Sequence, residues 1–399
     1  MSADKMLRGI ENRLVWGGWM LMWKHSWQWI SLVACMFLLP AAPSAFAQGG
    51  VEANLPLIDL PPGFSIEVYA RVPEARSLAV GRVLDTVFVG TRRDSVYAVL
   101  DRDRDGIVET VAPFARGLNV PNGVAVSEDG WLYVAENTRI VGFSQPEFDP
   151  LGLNEPIPIY QSLPAYGAHG WRYLALGPDD KLYVALGAPC NICEVEDPMG
   201  TISRLNRDGS GFEVYASGIR NSVGLDFHPE TGILYFTNNG ADRLGDDIPA
   251  DTLLRAPEPG LFFGFPYMAS SGDTTPSPAF AGREMPREMT PAVAKIQAHS
   301  APLGIHFYRG EQFPAQYRNV AFVAEHGSWN RSEPVGYQVS LFAFDEEGKL
   351  LRQEVFAKGW LQGGRPWGRP VDIDELSDGS LLVSDDFAGI VYRIRYRDP

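Results

Sequence analysis

The chain has 399 residues, of which 45% are hydrophobic and 21% charged, a composition typical of a globular protein with a large core. This composition excludes a disordered chain, a collagen-like chain and a membrane protein with many spans. Lys and Arg number 34 against 49 Asp and Glu, a formal net charge of −15. Nucleic acid is therefore a poor partner, because its binding depends on cations that neutralise phosphates.

The first 47 residues are typical of an export signal. Residues 1–26 carry four basic residues against two acidic ones, and an uncharged, mostly apolar stretch from Trp27 ends in Ala45-Phe46-Ala47, an A-x-A cleavage pattern. We expect residues 1–47 to be removed and the protein to be secreted or periplasmic. Two alternatives stay open. The stretch reaches the roughly 20 residues needed for an uncleaved membrane anchor, and Cys35 offers a weaker lipoprotein site.

Residues 48–399 repeat one pattern, an apolar run, a short turn rich in Asp, Asn and Gly, and a second apolar run. Six such turns are centred on positions 82, 130, 180, 232, 319 and 379, so the spacings are 48, 50, 52, 87 and 60 residues. A period near 50 residues is typical of propeller blades. The long gap leaves room for an inserted loop around 265–298.

We therefore predict an all-β fold in which residues 48–399 form a single six-bladed β-propeller. A strand near Phe64–Tyr69 is expected to pair with the last blade and close the ring. A β-sandwich and a pair of small β domains are the alternatives.

Cys190 and Cys193 are the only cysteines between residues 48 and 399. In an exported protein, this pair predicts a local disulfide. A zinc site would need two more ligands nearby, and the sequence contains neither a second C-x-x-C nor an H-x-x-x-H.

Polar residues gather in the segments that flank the predicted blade strands, where the channel of a propeller opens. His169 comes just before a blade strand, and its ordinary pKa near 6.5 suits a general base. Arg220-Asn221 occupies the same place one blade later, where Arg can hold an anion. Residues 237–247 supply the carboxylates and free carbonyls that calcium prefers. The alternatives are a histidine bonded to loop backbone, a surface ion pair and a solvated turn.

Three further segments flank blade strands in the same way: 298–304 with His299, 325–331 with His326 and Arg331, and 363–370 with Arg365 and Arg369. Asp101-Arg102-Asp103-Arg104-Asp105-Gly106 is similar to the start of a calcium loop. Its twelfth position is Ala112 instead of Glu, so an EF-hand is excluded and a turn between strands is expected.

Together these stretches resemble the glucose/sorbosone dehydrogenase family of soluble quinoproteins, most closely its sorbosone dehydrogenase-like branch. The resemblance covers roughly residues 55–396. It rests on AHGWRYLALGPDDKLYVALGAPCNICE, ASGIRNSVGLDFHPETGILYFTNNGADRLGDDIPAD, HSAPLGIHFYRG, EHGSWNR and GRPVDI.

The resemblance implies a role for each matching residue. His169 would be the general base, and Arg220 and Asn221 would contact the quinone of pyrroloquinoline quinone (PQQ). The backbone carbonyls of Gly240 and Ala241 would hold Ca²⁺. The remaining candidate cofactor ligands share basic side chains: His326, Arg331, Arg369 and, less closely matched, Arg365.

The implied activity is a PQQ- and calcium-dependent dehydrogenase that oxidises a sugar or a sugar-derived aldehyde and passes electrons to an external acceptor. Where the glucose enzymes have Gly-Asp-Gln-Gly, this chain has Leu186-Gly187-Ala188-Pro189, which argues against glucose as the substrate. The alternatives are a calcium-dependent propeller lactonase and a binding propeller without catalysis. Membrane association is expected only if the N-terminal segment is retained.

Overall fold

The structure, a computed structural model, describes residues 50–152, 154–165 and 167–398. The predicted export signal and its cleavage site lie outside the described residues. The described residues all belong to one compact unit. No helix in the described part of the chain is long and apolar enough to cross a membrane.

The described helices are short and lie outside the sheets. One α-helix, α1, is followed by three 3-10 helices, and the four lie at Gly50–Asn54, Leu55–Leu57, Pro278–Phe280 and Ala315–Tyr317.

Strand β1 (Phe64–Arg71) precedes the blades in the chain. Blade 1 contains β2 to β5, at Ala75–Val80, Val87–Thr91, Val96–Leu100 and Thr110–Ala115. Blade 2 contains β6 to β9, at Gly123–Val126, Trp131–Ala135, Ile140–Ser144 and Ile157–Tyr160. Blade 3 contains β10 to β13, at Leu174–Leu176, Lys181–Leu186, Thr201–Asn206 and Glu213–Ser217.

Blade 4 contains β14 to β16 and β18, at Leu225–Phe227, Leu234–Asn238, Asp251–Ala256 and Ala294–Ile296, and β17 (Leu261–Phe262) pairs in parallel with β13 of blade 3. Blade 5 contains β19 to β22, at Pro302–Phe307, Ala321–Glu325, Gln338–Phe344 and Leu350–Lys358. A hairpin of β23 (Leu361–Gln362) and β24 (Arg365–Pro366) follows. Blade 6 contains β25 to β27, at Pro370–Glu375, Leu381–Asp385 and Ile390–Tyr396.

The ring closes through its two ends, as predicted. β1 forms the outer strand of blade 6 by pairing antiparallel with β27, from Phe64 opposite Tyr396 to Arg71 opposite Ile390. The first strands of the six blades contact one another in order around the centre, β25 against β2 included. The six-bladed propeller is confirmed.

Each of the six predicted turns joins the first and second strands of one blade. At Gly130 and Gly379 the backbone has φ of +79° and +80°, a conformation that glycine adopts without a Cβ clash. The repeat period could be read from the sequence because this hairpin recurs in every blade.

The apolar core is divided into six main clusters, and each lies between two neighbouring blades. Between blades 1 and 2, Phe114 packs edge-to-face on Phe88 and Phe143 with ring centroids 5.1 and 5.0 Å apart. Because apolar burial is the main favourable term in folding, it is these clusters that hold the blades together.

The first strands of adjacent blades belong to different sheets, so their backbone N–H groups need other acceptors. Carboxylates supply them. Asp226 of β14 accepts the Phe307 N–H of β19 at 2.6 Å, and Asp372 of β25 accepts the Leu78 N–H of β2 at 2.8 Å. These hydrogen bonds link blade 4 to blade 5 and blade 6 to blade 1 beside the channel.

The long gap in the repeat lies between β16 and β18. Residues 257–293 leave blade 4, add β17 to the edge of blade 3 and return. This excursion underlies the candidate site described below.

Asp226 offers a test of the carboxylate links. Asp226→Ala leaves the Phe307 N–H and the Arg309 guanidinium without this acceptor, and we expect it to lower the free energy of unfolding by at least about 2 kcal/mol. Asp129→Ala is the control, since its exposed pairing with Arg207 is worth at most about 1 kcal/mol. Urea unfolding of both variants measures the difference, and equal losses would contradict this account.

Candidate active site

The candidate residues lie at one end of the channel, where the first strand of each blade begins and where its second and third strands are joined. Polar contacts link the blades in a closed circle at this end, which we call the rim ring. Its members are Arg76 Nε to Asn122 Oδ1 (2.8 Å), Asn122 Nδ2 to the Arg172 carbonyl (3.0 Å), Ala188 N to the Arg220 carbonyl (2.7 Å), Asn239 Nδ2 to the Pro302 carbonyl (2.7 Å), His326 Nε2 to Asp386 Oδ1 (2.8 Å) and Arg76 Nη1 to Asp386 Oδ2 (3.0 Å).

His169 stands at this mouth as a neutral imidazole. Its Nδ1 lies 2.7 Å from the Ala188 carbonyl oxygen, and since a carbonyl only accepts, Nδ1 carries the proton and Nε2 keeps its lone pair. Burial lowers the pKa of His169 to about 4, and the charge of Arg220 acts in the same direction. The imidazole is therefore poised as a base throughout the neutral range.

The backbone around His169 is tightly held. His169 itself has φ of +50°, which is uncommon for a residue with a Cβ. The guanidinium of Arg172, fully buried, donates to the carbonyls of Pro164, Asn137 and His169. Arg172 thus holds the segment that presents the base.

Asn221 lies beside His169 on the next blade. A Cβ placed on Gly187 would come within 2.6 Å of His169 Cβ and 2.9 Å of Asn221 Oδ1. Glycine at this position therefore allows blade 3 to pack between the two side chains, and the structure brings these two predicted site residues together.

Arg220 is nearly fully buried and is bound from several sides. Its guanidinium donates to the Asn191 carbonyl and Oδ1 (3.0 and 2.8 Å), to the Asn239 carbonyl (3.1 Å) and to Asp242 Oδ2 (2.9 Å). Burial lowers the pKa of Arg220, while Asp242 raises it. The charge is thereby fixed in place next to His169.

Asn191 lies inside the four-residue ring closed by the disulfide between Cys190 and Cys193, which the structure contains as predicted. Besides Arg220, Asn191 also binds Asp242, whose N–H donates to Asn191 Oδ1 at 2.8 Å and whose carbonyl accepts from Asn191 Nδ2 at 3.0 Å. The disulfide ring therefore clamps the arginine and its carboxylate partner.

Gly240 and Ala241, the predicted calcium ligands, lie at the mouth end of β15. The Gly240 N–H donates to Asp251 Oδ1 at 2.8 Å, and the Ala241 N–H donates to the Ala269 carbonyl at 2.8 Å. Neither carbonyl oxygen accepts a hydrogen bond from the described residues. Ala269 belongs to the excursion of residues 257–293, which thus supports this loop.

A charged cluster completes the mouth on the opposite side. Asp386 binds Arg76 (3.0 Å), Arg92 (3.2 Å) and His326 (2.8 Å). Burial alone would raise the pKa of Asp386, but these three partners lower it well below its ordinary value. Arg76 is fully buried, and its Nη2 has no hydrogen-bond partner among the described residues.

Trp171 presents an indole to this cluster. The guanidinium carbons of Arg76 and Arg92 lie 4.5 and 4.7 Å from its ring centroid, and 36% of the residue is exposed. A cavity of about 380 Å³ opens beside it, a volume in the range of small-molecule pockets. Its lining residues are Val120, Asn137, Ala165, Gly167, Gly170 and Trp171.

Three predicted arginines have different placements. Arg369 donates to the carbonyls of His326 (3.0 Å) and Gly327 (2.5 Å), so it belongs to the mouth. Arg331 binds the Asp246 carbonyl and the Asp247 carboxylate, and so ties two loops together. Arg365 is exposed on the β23–β24 hairpin.

His299 is not available as a base. Its Nε2 lies 2.8 Å from the Gly245 carbonyl and its Nδ1 lies 3.4 Å from Asn330 Nδ2, so both ring nitrogens bridge loops.

Two comparisons define the family. Residues 85–395 match the family model described as "Domain of unknown function (DUF7133)". An uncharacterized protein of Borreliella burgdorferi is 31% identical over 376 residues, which cover 92% of this chain and 97% of that protein. The chain belongs to this family.

Solved structures share the fold of this family member at low sequence identity. The PQQ domain of pyranose dehydrogenase from Coprinopsis cinerea aligns with a TM-score of 0.70 and 16% identity, over 85% of this chain and 97% of that one. A calcium structure of Carbohydrate-Active Enzymes Family AA12 from Trichoderma reesei aligns with a TM-score of 0.71 and 17% identity, over 85% of this chain and 97% of that one. The soluble aldose sugar dehydrogenase of Escherichia coli, in its apo form, aligns with a TM-score of 0.63 and 17% identity, over 84% of this chain and 100% of that one.

Sequence reasoning gave no role to several residues of this mouth, among them Arg76, Arg92, Trp171, Asn191 and Asp386. Arg92 and Asp386 each follow the second strand of a blade, the same place as His326. Alignment of the six repeats on their second strands could have found these two. Arg76 lies within a strand, and nothing in the sequence marks it.

The protonation of His169 can be measured directly. NMR titration of the ligand-free protein, with the resonance assigned by its loss in His169→Ala, should give a pKa near 4, because burial disfavours the charged form. The imidazole would then be protonated only as the pH falls through about 4. A value near 6.5 would show that the ring is solvated and contradict the described environment.

The disulfide clamp predicts a local effect. Cys190→Ser/Cys193→Ser should cost about 2 kcal/mol of stability and speed hydrogen exchange at the Asp242 amide, which donates to Asn191. Asn191→Ala should speed the same exchange with the disulfide intact. Hydrogen exchange in peptides covering residues 206–211 serves as the internal control and should be the same in all variants. Unchanged hydrogen exchange at the Asp242 amide in both variants would show that the disulfide ring does not hold Asp242 in place.

Proposed function

We propose that the protein is a PQQ- and calcium-dependent dehydrogenase that oxidises a sugar or a sugar-derived aldehyde outside the cytoplasm. The observation that carries the proposal is the His169 imidazole, whose Nδ1 is bonded to the Ala188 carbonyl and whose Nε2 lone pair is left at a cationic, aromatic mouth. The solved sugar dehydrogenases with this fold support it.

The residues at the mouth fit PQQ, a planar quinone that carries carboxylates. Trp171 offers an aromatic face, Arg369 and Arg92 offer guanidinium groups, and the buried Nη2 of Arg76 has no hydrogen-bond partner within the described ranges. Arg is suited to planar carboxylates because its donors form a rigid fork. His326 and Asn221 would complete the set.

Calcium would be held by the Gly240 and Ala241 carbonyls. Both are hard oxygen ligands of the type that Ca²⁺ prefers, and hydrogen bonds from their own N–H groups to Asp251 and Ala269 keep the loop in place. The calcium structure with the same fold supports the choice of Ca²⁺ as the cation.

The chemistry follows from the charges at the mouth. His169 Nε2 would take the proton of a substrate hydroxyl, or of an aldehyde hydrate, which is worth about 10²–10⁴-fold in rate. Arg220 keeps His169 neutral beforehand and stabilises negative charge that develops near it. When bound, PQQ would accept the hydride and release the electrons to an external acceptor.

The substrate is proposed from the residues around the base. Leu186-Gly187-Ala188-Pro189 lies next to His169 and presents no acidic side chain, so a sorbosone-type substrate is favoured over glucose. The disulfide supports export, because disulfides form and persist in oxidising compartments outside the cytoplasm.

A calcium-dependent lactonase is less well supported. It would need several acidic or amide ligands around a metal in the channel. Within the described ranges, the group of three His, Cys, Asp or Glu side chains whose ligand atoms all lie within 4.8 Å of one another is Asp101, Asp103 and Glu109, outside the channel between β4 and β5. The channel carboxylates of Asp226, Asp374 and Glu375 face His306 instead. The mouth instead offers a base and cations.

Reconstitution tests the proposal. The protein loaded with PQQ and Ca²⁺ should reduce a dye in the presence of sorbosone or an aldose, and a chelator should abolish the activity. His169→Ala should bind PQQ normally and lose at least about 10²-fold in kcat, since only the proton acceptor is removed. His228→Ala, which alters a histidine on the far face of blade 4, is the control. Equal kcat in both variants would remove His169 as the base.

PQQ binding separates Arg369, which the sequence matched to the cofactor site, from Arg365, which it matched less closely. Arg369→Ala should weaken PQQ binding at least about tenfold, because it loses a charged hydrogen bond. Arg365→Ala should bind as the parent does, since the side chain is exposed on the hairpin. The opposite order would place the cofactor carboxylates at the hairpin instead.

A further inference from the structure

The turn between β4 and β5 of blade 1 carries acidic residues at every second position. Asp101, Asp103 and Asp105 alternate along it, Gly106 follows with φ of +91°, and Glu109 stands at its end. The turn lies at the outer part of blade 1, away from the rim ring, and no step of the proposed function uses it.

The carboxylates of this turn converge. One oxygen from each of Asp101, Asp103 and Glu109 lies within 4.8 Å of the others. Two oxygens that bind one Ca²⁺ at about 2.4 Å can be at most about 4.8 Å apart. The three groups are therefore already close enough to share one ion.

A second observation points to a ligand. Asp101 is only 6% exposed, and its Oδ1 has no hydrogen-bond partner among the described residues. Its other oxygen accepts the Gly106 N–H at 2.9 Å. A buried carboxylate oxygen without a donor is costly, and a cation would satisfy it.

The neighbouring cations do not fill this role. The Arg393 guanidinium lies near the turn, since a Cβ on Gly106 would be 2.5 Å from its Nη1. Arg393 pairs with Asp378 through Nη2 at 2.6 Å, while its Nη1, beside Gly106, has no hydrogen-bond partner among the described residues. Arg104 pairs with Asp85 at 3.3 Å. Neither arginine forms a hydrogen bond or ion pair with Asp101 Oδ1.

We propose that the turn Asp101–Glu109 binds one Ca²⁺ ion through Asp101, Asp103 and Glu109. The ligands are all oxygen, as hard cations require. Glu109 takes the place of the missing twelfth-position acid, three residues earlier than in an EF-hand. Carboxylates on a turn with two exposed ligands suit the adaptable coordination of Ca²⁺ better than the strict octahedron of Mg²⁺.

The ion would brace the place where the ring closes. Arg393, next to the turn, lies on β27 of blade 6, the strand that pairs with β1. The ion would order the β4–β5 turn against which Arg393 of blade 6 packs, so its loss would act on stability and not on the mouth.

Calorimetric titration of the chelator-treated, PQQ-free protein with CaCl2 tests the proposal. The parent should bind Ca²⁺ with a rise in Tm. Asp103→Asn/Glu109→Gln should bind one ion fewer per chain, or bind at least tenfold more weakly. The control Glu346→Gln/Glu347→Gln removes two exposed charges from the corresponding turn of blade 5 and should bind as the parent does.

Both variants should have the parent's Tm in excess chelator, which shows that they fold. Loss of Ca²⁺ binding in the first variant alone, with the dehydrogenase activity of the loaded enzyme unchanged, would support the site independently of the proposed function. Equal Ca²⁺ stoichiometry and affinity in the parent and the Asp103/Glu109 variant would overturn it. Equal affinity for MgCl2 would overturn the assignment to Ca²⁺.

Discussion

The rim ring is the interaction on which the candidate site depends. It passes through all six blades and closes at Asp386 of blade 6, which joins His326 of blade 5 to Arg76 of blade 1. The apolar clusters hold the blades together but have no preferred direction, whereas these hydrogen bonds fix which side chains meet at the mouth. The chemistry of the mouth is therefore set by closure of the propeller.

Much of the fold could be predicted because it repeats. The hairpin at Gly130 recurs at Gly379 with the same backbone conformation, and the spacing between such turns gave the number of blades. The pairing of β1 with β27 also followed, since a strand left over at the N-terminus has one free edge to join. The bounds of the excursion, 257–293, differ from the expected loop around 265–298, because its first residues form β17 on the neighbouring blade.

The site was less accessible from the sequence. His169 and Arg220 were found because they stand just before blade strands, but their partners come from far along the chain. Asn191 is 29 residues from Arg220, and Asp386 is 310 residues from Arg76. Only the folded ring brings such pairs together. The acidic turn at Asp101 was read as a plain turn because the twelfth position lacks Glu, and the role of Glu109 emerges from its distance to Asp101.

The polar groups are divided between two ends of the channel. The mouth carries the bound arginines together with His169 and His326, whose pKa values burial lowers to about 4. The other end, a cavity of about 390 Å³, has His306 near the carboxylates of Asp226, Asp374 and Glu375. The proposed function places the anionic planar cofactor at the mouth, where the guanidinium groups of Arg76 and Arg92 share the carboxylate of Asp386.

A crystal structure of the protein grown with PQQ and CaCl2 tests this account most directly. We expect PQQ at the mouth beside Trp171, with its carboxylates on Arg369 and the Arg76 cluster, its reacting quinone facing His169 Nε2, and Ca²⁺ on the carbonyls of Gly240 and Ala241. A mouth without PQQ at saturating concentration, or PQQ bound at the end that carries His306, would contradict it.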